Sequence, residues 1–384
     1  MYPEKLSKIP YGELGIIVLD SCKELGEKID KNLVQLRKDY YSQNGDEYYW
    51  DRLKDSYLTQ VKDIRFSNGE GKVKLEETVR GKDVYILADV GNYNCSYEMF
   101  GKTSYMGPDE HFQDIKRTIS AISGRARRVS VIMPLLYASR QHKRKGRESL
   151  DCAIALQELE RLGVQNIITF DAHDPRVENA IPLTNFQNMY PNYEIIKELL
   201  KTETANSFDK SNMMVISPDT GAMDRAIYYA SILGVDVGLF YKRRDYTKVV
   251  NGKNPIIQHE YMGGNVSGKD VLVVDDMVAS GESILDIAIQ LKKRNARNIY
   301  VAATFALFTE GVDKFIKYYE QGLITRFYST NLTYIPEDVK KSEWFVEVDL
   351  SSFMSELIDR LNYDESVSPL FDDTDRIKEL LKDK

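Results

Sequence analysis

The chain has 384 residues, with 52 Lys+Arg against 59 Asp+Glu, a net charge of -7 and 29% charged residues. This length predicts two or three domains and a core large enough to need no covalent staples, and the composition excludes a wholly disordered chain and argues against a general nucleic-acid binder. Cys22, Cys95 and Cys152 share no CxxC or CxxH spacing, which excludes a cysteine zinc site and suits a reducing compartment; no apolar run reaches membrane-spanning length, and the first fifteen residues carry no secretion-signal core.

From the N-terminus, short apolar runs alternate with amphipathic stretches. The runs are GIIVLD (15–20), DVYILADV (83–90), VSVIMPLL (129–136), NIITFDAH (166–173), NMMVISPD (212–219), VDVGLFYK (235–242), DVLVVDD (270–276) and NIYVAATFAL (298–307). Rich in Val and Ile, they predict strands buried on both faces. Residues 149–163 and 282–296 have helical spacing, the first closed by Gly163 and the second gathering bases in its last turn. Strand–helix–strand succession predicts parallel βαβ units and an α/β fold. A polar stretch near 180–210 divides two halves of similar size, and a tail follows Asn331.

The polar chemistry sits at the carboxyl ends of these runs, where α/β sheets bind ligands. Five ends carry it: Asp171-Ala172-His173, Pro218-Asp219, Lys242-Arg243-Arg244, Asp275-Asp276 and, shortly after the third run, Arg140-Gln141. The charge is also uneven. Arg125, Arg127, Arg128, Arg140, Lys143, Arg144, Lys145 and Arg147 occur without an intervening acid, and Lys242-Arg243-Arg244 forms a second cluster. Two basic clusters in an acidic chain fit a small polyanion such as a nucleotide or sugar phosphate; solvated loops or subunit contacts are the alternatives.

The strongest motif is VLVVDDMVASGESILDIA (271–288). A strand ends in two carboxylates, and the small residues Ala279, Ser280 and Gly281 lead into a helix opened by Glu282 and Ser283. Such a loop suits a phosphate, and adjacent carboxylates suit the vicinal hydroxyls of a ribose. The competing reading is a plain strand-to-helix turn with Asp and Ser as caps.

VVDDMVASGES resembles the phosphoribosyl-diphosphate loop of type I phosphoribosyltransferases and of the ribose-phosphate diphosphokinase (phosphoribosyl-diphosphate synthetase) family. The segments RFSNGEGKVKLEETVRGKDVYI (65–86), LLYASRQHKRKGRE (135–148), FDAHDPRVENAIP (170–182), VISPDTGAMDRA (215–226), FYKRRD (240–245) and ESVSPLF (365–371) resemble only the second, so the chain is similar to a divergent long form of that family over roughly 15–371. The phosphate loop departs from the usual Thr-Gly-Gly-Thr, with Ser280-Gly281-Glu282-Ser283; a carboxylate at Glu282 repels phosphate if it points inward, and favours the helix dipole if it points outward. His142 replaces the usual Asp, and residues 38–60 are extra.

The resemblance implies two tandem type I phosphoribosyltransferase-like α/β domains with mainly parallel sheets: 1–185 on the ATP side, 186–335 with the ribose 5-phosphate loop, and a tail, 336–384, packing back on the body. It implies transfer of the diphosphoryl group of ATP to C1 of ribose 5-phosphate, giving phosphoribosyl diphosphate and AMP for nucleotide biosynthesis. Lys242 and Arg244 are then catalytic; Phe66, Asn68, Gly69, Glu70, Arg140 and Gln141 hold ATP; Asp275, Asp276, Ala279, Ser280, Gly281, Glu282 and Ser283 hold ribose 5-phosphate. His173, Asp219 and Asp171 hold Mg2+, with His173 alternatively hydrogen-bonding a phosphate. The resemblance further implies a cytoplasmic homo-oligomer built from dimers, a hexamer among its forms, with an active site between the domains completed by a neighbouring subunit. The alternatives are a phosphoribosyltransferase using the same loop and a non-catalytic regulatory relative. Residues 245–265 read as a flap over the diphosphate, or as a surface loop with one extra strand. His111, His142 and His259 carry no motif and read as structural or exposed.

Overall fold

The computed structural model describes residues 9–44, 53–144, 146–203, 211–244, 256–371 and 374–382. The chain forms two compact units. The first runs up to Tyr190 and adds Leu332–Tyr334 and Asp349–Phe371; the second holds Pro191–Asn331, Ile335–Val348 and the C-terminal helix Thr374–Lys382. The stretch 336–384 is therefore divided between both.

In the first unit the strands are β1 (Glu13–Val18), the β2–β3 hairpin (Val61–Arg65, Gly71–Leu75), β4 (Lys82–Leu87), the β5–β6 hairpin (Ser96–Met99, Lys102–Tyr105), β7 (Arg128–Ile132), β8 (Asn166–Phe170) and β9 (Asn185–Met189). β1-β4-β7-β8-β9 make a parallel sheet. β4 and β8 are buried along their whole length, as continuous apolar runs predict. The helices Pro108–Ile122 and Asp151–Arg161 bury Phe112, Ile115, Ile119, Cys152, Leu156 and Leu159 in the same core. Each such side chain contributes roughly 1.5–3 kcal/mol of burial.

The helix Lys23–Asn44 takes in the start of the extra segment 38–60, of which residues 45–52 lie outside the described residues. It packs on the helix Ser351–Asn362: Arg37 Nε donates to Asp359 at 2.7 Å and its guanidinium faces the rings of Tyr57 and Tyr363. Beyond the gap, Tyr57 and Thr59 exchange backbone hydrogen bonds with Ile16, so this part of the segment borders β1.

The second unit carries β10 (Met213–Ser217), β11 (Asp236–Arg244), β12 (Ile256–Met262), β13 (Asp270–Val278), β14 (Ile299–Ala306), β15 (Arg326–Thr330) and β16 (Phe345–Val348). The order is β12-β11-β10-β13-β14-β15-β16, parallel except for the antiparallel β11–β12 pair. β12 supplies the extra strand considered for 245–265, while 245–255 lie outside the described residues. The chain leaves β10 for β11 on one side and later enters β13 on the other, so a topological switch point lies at the carboxyl ends of β10 and β13. Open parallel sheets bind ligands at such points. All eight apolar runs of the sequence form strands of the two sheets. Among the described residues no helix is long and apolar enough to cross a membrane.

Candidate active site

At the switch point, β13 carries the pair Asp275-Asp276 near its carboxyl end and runs on through Met277 to Val278, so the strand outlasts the apolar run of the sequence. Asp276 is buried, and its backbone N–H donates to Asp275 Oδ1 at 2.9 Å. Burial pushes the Asp275 carboxyl well above the usual range, and the charges of Asp276 and Asp219 push the same way; Arg225 opposes them. Two carboxylates crowded at a strand end form an acceptor-rich spot that two hydroxyl donors or a cation would relieve.

Ala279 and Ser280 follow, and Gly281 opens the helix Glu282–Lys293. Gly281 sits at φ 78°, and a Cβ there would come 2.2 Å from Phe315 Cζ, so this position demands glycine both for its conformation and for its closeness to the core. The loop's backbone is thus pressed onto a buried aromatic floor at a helix N-terminus, the arrangement that binds a phosphate. Ser283 lies in the first turn of that helix. Glu282 points outward: its side chain is 70% exposed, with Oε1 3.7 Å from Lys314 Nζ.

At the end of β10, Asp219 Oδ1 accepts the backbone N–H of Gly221 at 2.8 Å and of Ala222 at 3.2 Å, which orients the carboxylate. Lys242 and Arg244 close β11, in register with His259 and Ile256 of β12, with an irregularity between Arg243 and Arg244. Their side chains lie outside the described residues.

In the first unit, Phe66, Asn68, Gly69 and Glu70 form the turn of the β2–β3 hairpin. Phe66 N–H donates to Glu70 O at 2.8 Å, Gly69 N–H to Phe66 O at 2.9 Å, and Asn68 Nδ2 to Glu70 Oε2 at 3.0 Å. Phe66 is 48% exposed, so the sequence segment that ends this hairpin presents an open aromatic face. The hairpin is anchored by an ion pair of Arg65 with Asp114, which Arg117 Nη1 joins at 2.6 Å.

Arg140 and Gln141 lie in a short 3-10 turn, Ser139–Gln141, beyond β7. Asp171 follows β8, buried and at φ 43°, its N–H donating to Met189 O at 2.8 Å. The structure brings these two strand ends together through His142, whose ring lies 5.3 Å from that of His173 and whose Nε2 is 3.5 Å from Asp174 Oδ2. His142, read as structural or exposed, is structural: it follows directly on Arg140-Gln141 and packs on the ring of His173. Burial lowers the His142 ring's basicity, partly offset by the Ser139 carbonyl and Asp174. Asp174 itself is held down at about 2 by hydrogen bonds from Arg176. His111 is structural, its Nε2 2.7 Å from Asn92 O.

Asp171 and His173 belong to the first unit and Asp219 to the second. Among the described residues no group of three or more His, Cys, Asp or Glu is disposed to hold a metal by itself. Single oriented carboxylates fit Mg2+, which keeps several waters and binds through one or two carboxylates together with substrate phosphates.

Two α/β units, the second with paired carboxylates near the end of β13 and a glycine loop leading into a helix N-terminus, define the class: a phosphoribosyltransferase-like protein with a second α/β domain before it. The model of the N-terminal domain of ribose phosphate pyrophosphokinase matches residues 14–163, and that of the phosphoribosyl transferase domain matches residues 183–320. The chain belongs to the ribose-phosphate pyrophosphokinase family. It is 26% identical to the ribose-phosphate pyrophosphokinase of Vibrio cholerae over 313 residues, 80% of this chain and 89% of that one. To the enzyme of the same name from Mycoplasma genitalium it is 27% identical, over 76% of this chain and 81% of that one. The crystal structure of phosphoribosylpyrophosphate synthetase from Mycobacterium smegmatis shares the fold, with a TM-score of 0.71 at 21% identity over 91% of this chain and 98% of that one.

Proposed function

We propose that the chain is a ribose-phosphate diphosphokinase, moving the β,γ-diphosphoryl group of ATP to the C1 hydroxyl of ribose 5-phosphate. The observation that carries this is the tandem match: the pyrophosphokinase N-terminal domain precedes the phosphoribosyl transferase domain in one chain. A transferase using the same loop has no need of that first domain. A regulatory relative has no need of Lys242, Arg244, His173 and the Asp275-Asp276 pair together, and all are present.

In phosphoryl transfer the protein chiefly positions groups and neutralises charge. In this reading Ala279, Ser280, Gly281 and Ser283 receive the 5-phosphate, with the helix N-terminus behind them, and Glu282 stays in solvent. Asp275 and Asp276 accept hydrogen bonds from the ribose 2- and 3-hydroxyls. Phe66 with Asn68, Gly69 and Glu70, and Arg140 with Gln141, hold the nucleotide. Lys242 and Arg244 meet the charge developing on the transferred group, a role whose loss costs on the order of 3 kcal/mol or more in the barrier. Bound Mg2+ would add charge neutralisation at the phosphates; Asp219, Asp171 and His173 are the residues that would hold it. A cytoplasmic homo-oligomer built from dimers completes the reading.

The test is a phosphorus NMR time course with Mg2+, ATP and ribose 5-phosphate, beside Lys242→Ala. AMP and phosphoribosyl diphosphate should appear with the unaltered protein and only when ribose 5-phosphate is added. Folded protein that leaves ATP intact across varied Mg2+ and phosphate would sink the proposal and favour the regulatory relative.

A further inference from the structure

The β5–β6 hairpin is absent from the family motifs yet sits on the nucleotide turn. Met99 and Lys102 are paired, so its loop has two residues, Phe100 and Gly101, both at positive φ (50° and 71°). Two-residue loops of this kind favour Asn-Gly or Asp-Gly, because the first residue is strained unless it is Gly, Asn or Asp. A phenylalanine there opposes the turn's own preference, and it is 77% exposed, so packing within the unit does not explain it. Strain of this sort points to a role for the side chain.

The place of the hairpin says which role. Phe100 N–H donates to Ser67 O at 3.0 Å, in the middle of the Phe66–Glu70 turn. A Cβ on Gly69 would come 2.7 Å from Met99 Sδ, so the two turns touch with no room between them. Tyr97 lies under the Arg65 guanidinium at 5.4 Å and donates to Glu110 at 2.7 Å, fixing the hairpin to the helix Pro108–Ile122. The backbone of Phe100 is thus held against Ser67, the neighbour of Phe66 in the turn, and both phenylalanines are exposed to solvent.

We propose that Phe100 is a binding residue for the purine base of the nucleotide, forming with Phe66 an aromatic platform. This rests on the reading of Phe66–Glu70 as the ATP-binding turn. Base stacking on one aromatic ring is sequence-tolerant and strong enough that its loss should raise the KM for ATP by about tenfold.

The experiment compares Phe100→Asn, Phe100→Trp and Phe66→Ala in the intact protein, by initial rates and by calorimetric titration with AMP. Asn suits the turn, so Phe100→Asn should fold at least as well as the unaltered protein. It should raise the KM for ATP about tenfold and weaken AMP to a similar degree, without moving the KM for ribose 5-phosphate, and Phe100→Trp should restore both. An unchanged KM for ATP in Phe100→Asn, with Phe66→Ala impaired, overturns the role of Phe100 alone. If neither variant alters nucleotide binding in an active enzyme, the placement of ATP on this turn is wrong, and the inference goes with it. A changed sedimentation coefficient at unchanged AMP affinity would make Phe100 a subunit contact and overturn it too.

Discussion

Glu282 Oε1 lies 3.7 Å from Lys314 Nζ, which also pairs with Glu310 at 2.9 Å. The carboxylate that replaces a neutral residue in the phosphate loop therefore faces solvent and a cation, not the space over the loop. Exposed ion pairs contribute little, about 0–1 kcal/mol. Glu282→Thr should accordingly leave the KM for ribose 5-phosphate within about twofold. Lys314→Glu should raise that KM at low ionic strength and lose most of the effect near 1 M salt, because the added charge acts through solvent. Initial rates across a salt series decide this; a KM lowered well beyond twofold in Glu282→Thr, persisting at high salt, would place the repelling carboxylate in the site.

Gly281→Ala should damage both the loop and the fold. The new methyl would strike Phe315, which is buried and stacked on Trp344 at 5.8 Å between ring centroids. The backbone at φ 78° adds its own penalty. Together these should cost about 2–4 kcal/mol. Urea unfolding of Gly281→Ala beside Gly281→Ala/Phe315→Leu separates the two causes: the second change should recover part of the stability by making room, and none of the conformational penalty.

The β13 site was legible because each signal is local: an unbroken apolar run, two carboxylates where it stops, then small residues before a helical pattern. β15 and β16 were not, because RFYST and FVEV are short and lie among turn residues, and only the pairing of β15 with β14 and of β16 with β15 makes them strands. The β5–β6 hairpin was hidden for a related reason. Its strand SYEM alternates over only four residues, KTSY carries no apolar alternation, and its Phe-Gly turn lacks the usual Asn-Gly signature. His142 illustrates a third limit, since its meeting with His173 joins residues from the ends of two strands, which no spacing in the chain announces.

Asp83 is fully buried on β4 and is held by Arg128, which donates to its two oxygens at 2.8 and 2.7 Å, and by Asn362 Nδ2 at 2.9 Å. Arg128 also donates to Leu361 O at 2.6 Å. One ion pair thus fastens the returning helix Ser351–Asn362 to the first sheet. Removing one partner strands a buried charge, so Asp83→Ala should cost about 3–5 kcal/mol. Asp83→Leu/Arg128→Met should cost clearly less, since neither charge remains. Hydrogen exchange would show the loss concentrated in residues 351–362 before the rest of the unit opens.

Asp63, on β2 below the nucleotide turn, gives a pH signature. Burial pushes its carboxyl up to about 6, and Asp114 pushes the same way by charge and hydrogen bonding, against Arg65. In the unfolded chain the group titrates near 4, as an unperturbed aspartate does. Between those two values the folded protein binds more protons than the unfolded one, so the contribution of Asp63 to stability is greatest at the acid end and falls as pH rises through about 6. Asp63→Asn keeps a donor toward Asp114 and has no charge to desolvate. Its urea midpoint, relative to the unaltered protein, should therefore be higher above pH 7 and should lose that advantage progressively toward pH 4. A constant difference across that range would show that Asp63 is already ionised in the folded state and that Arg65 outweighs the burial.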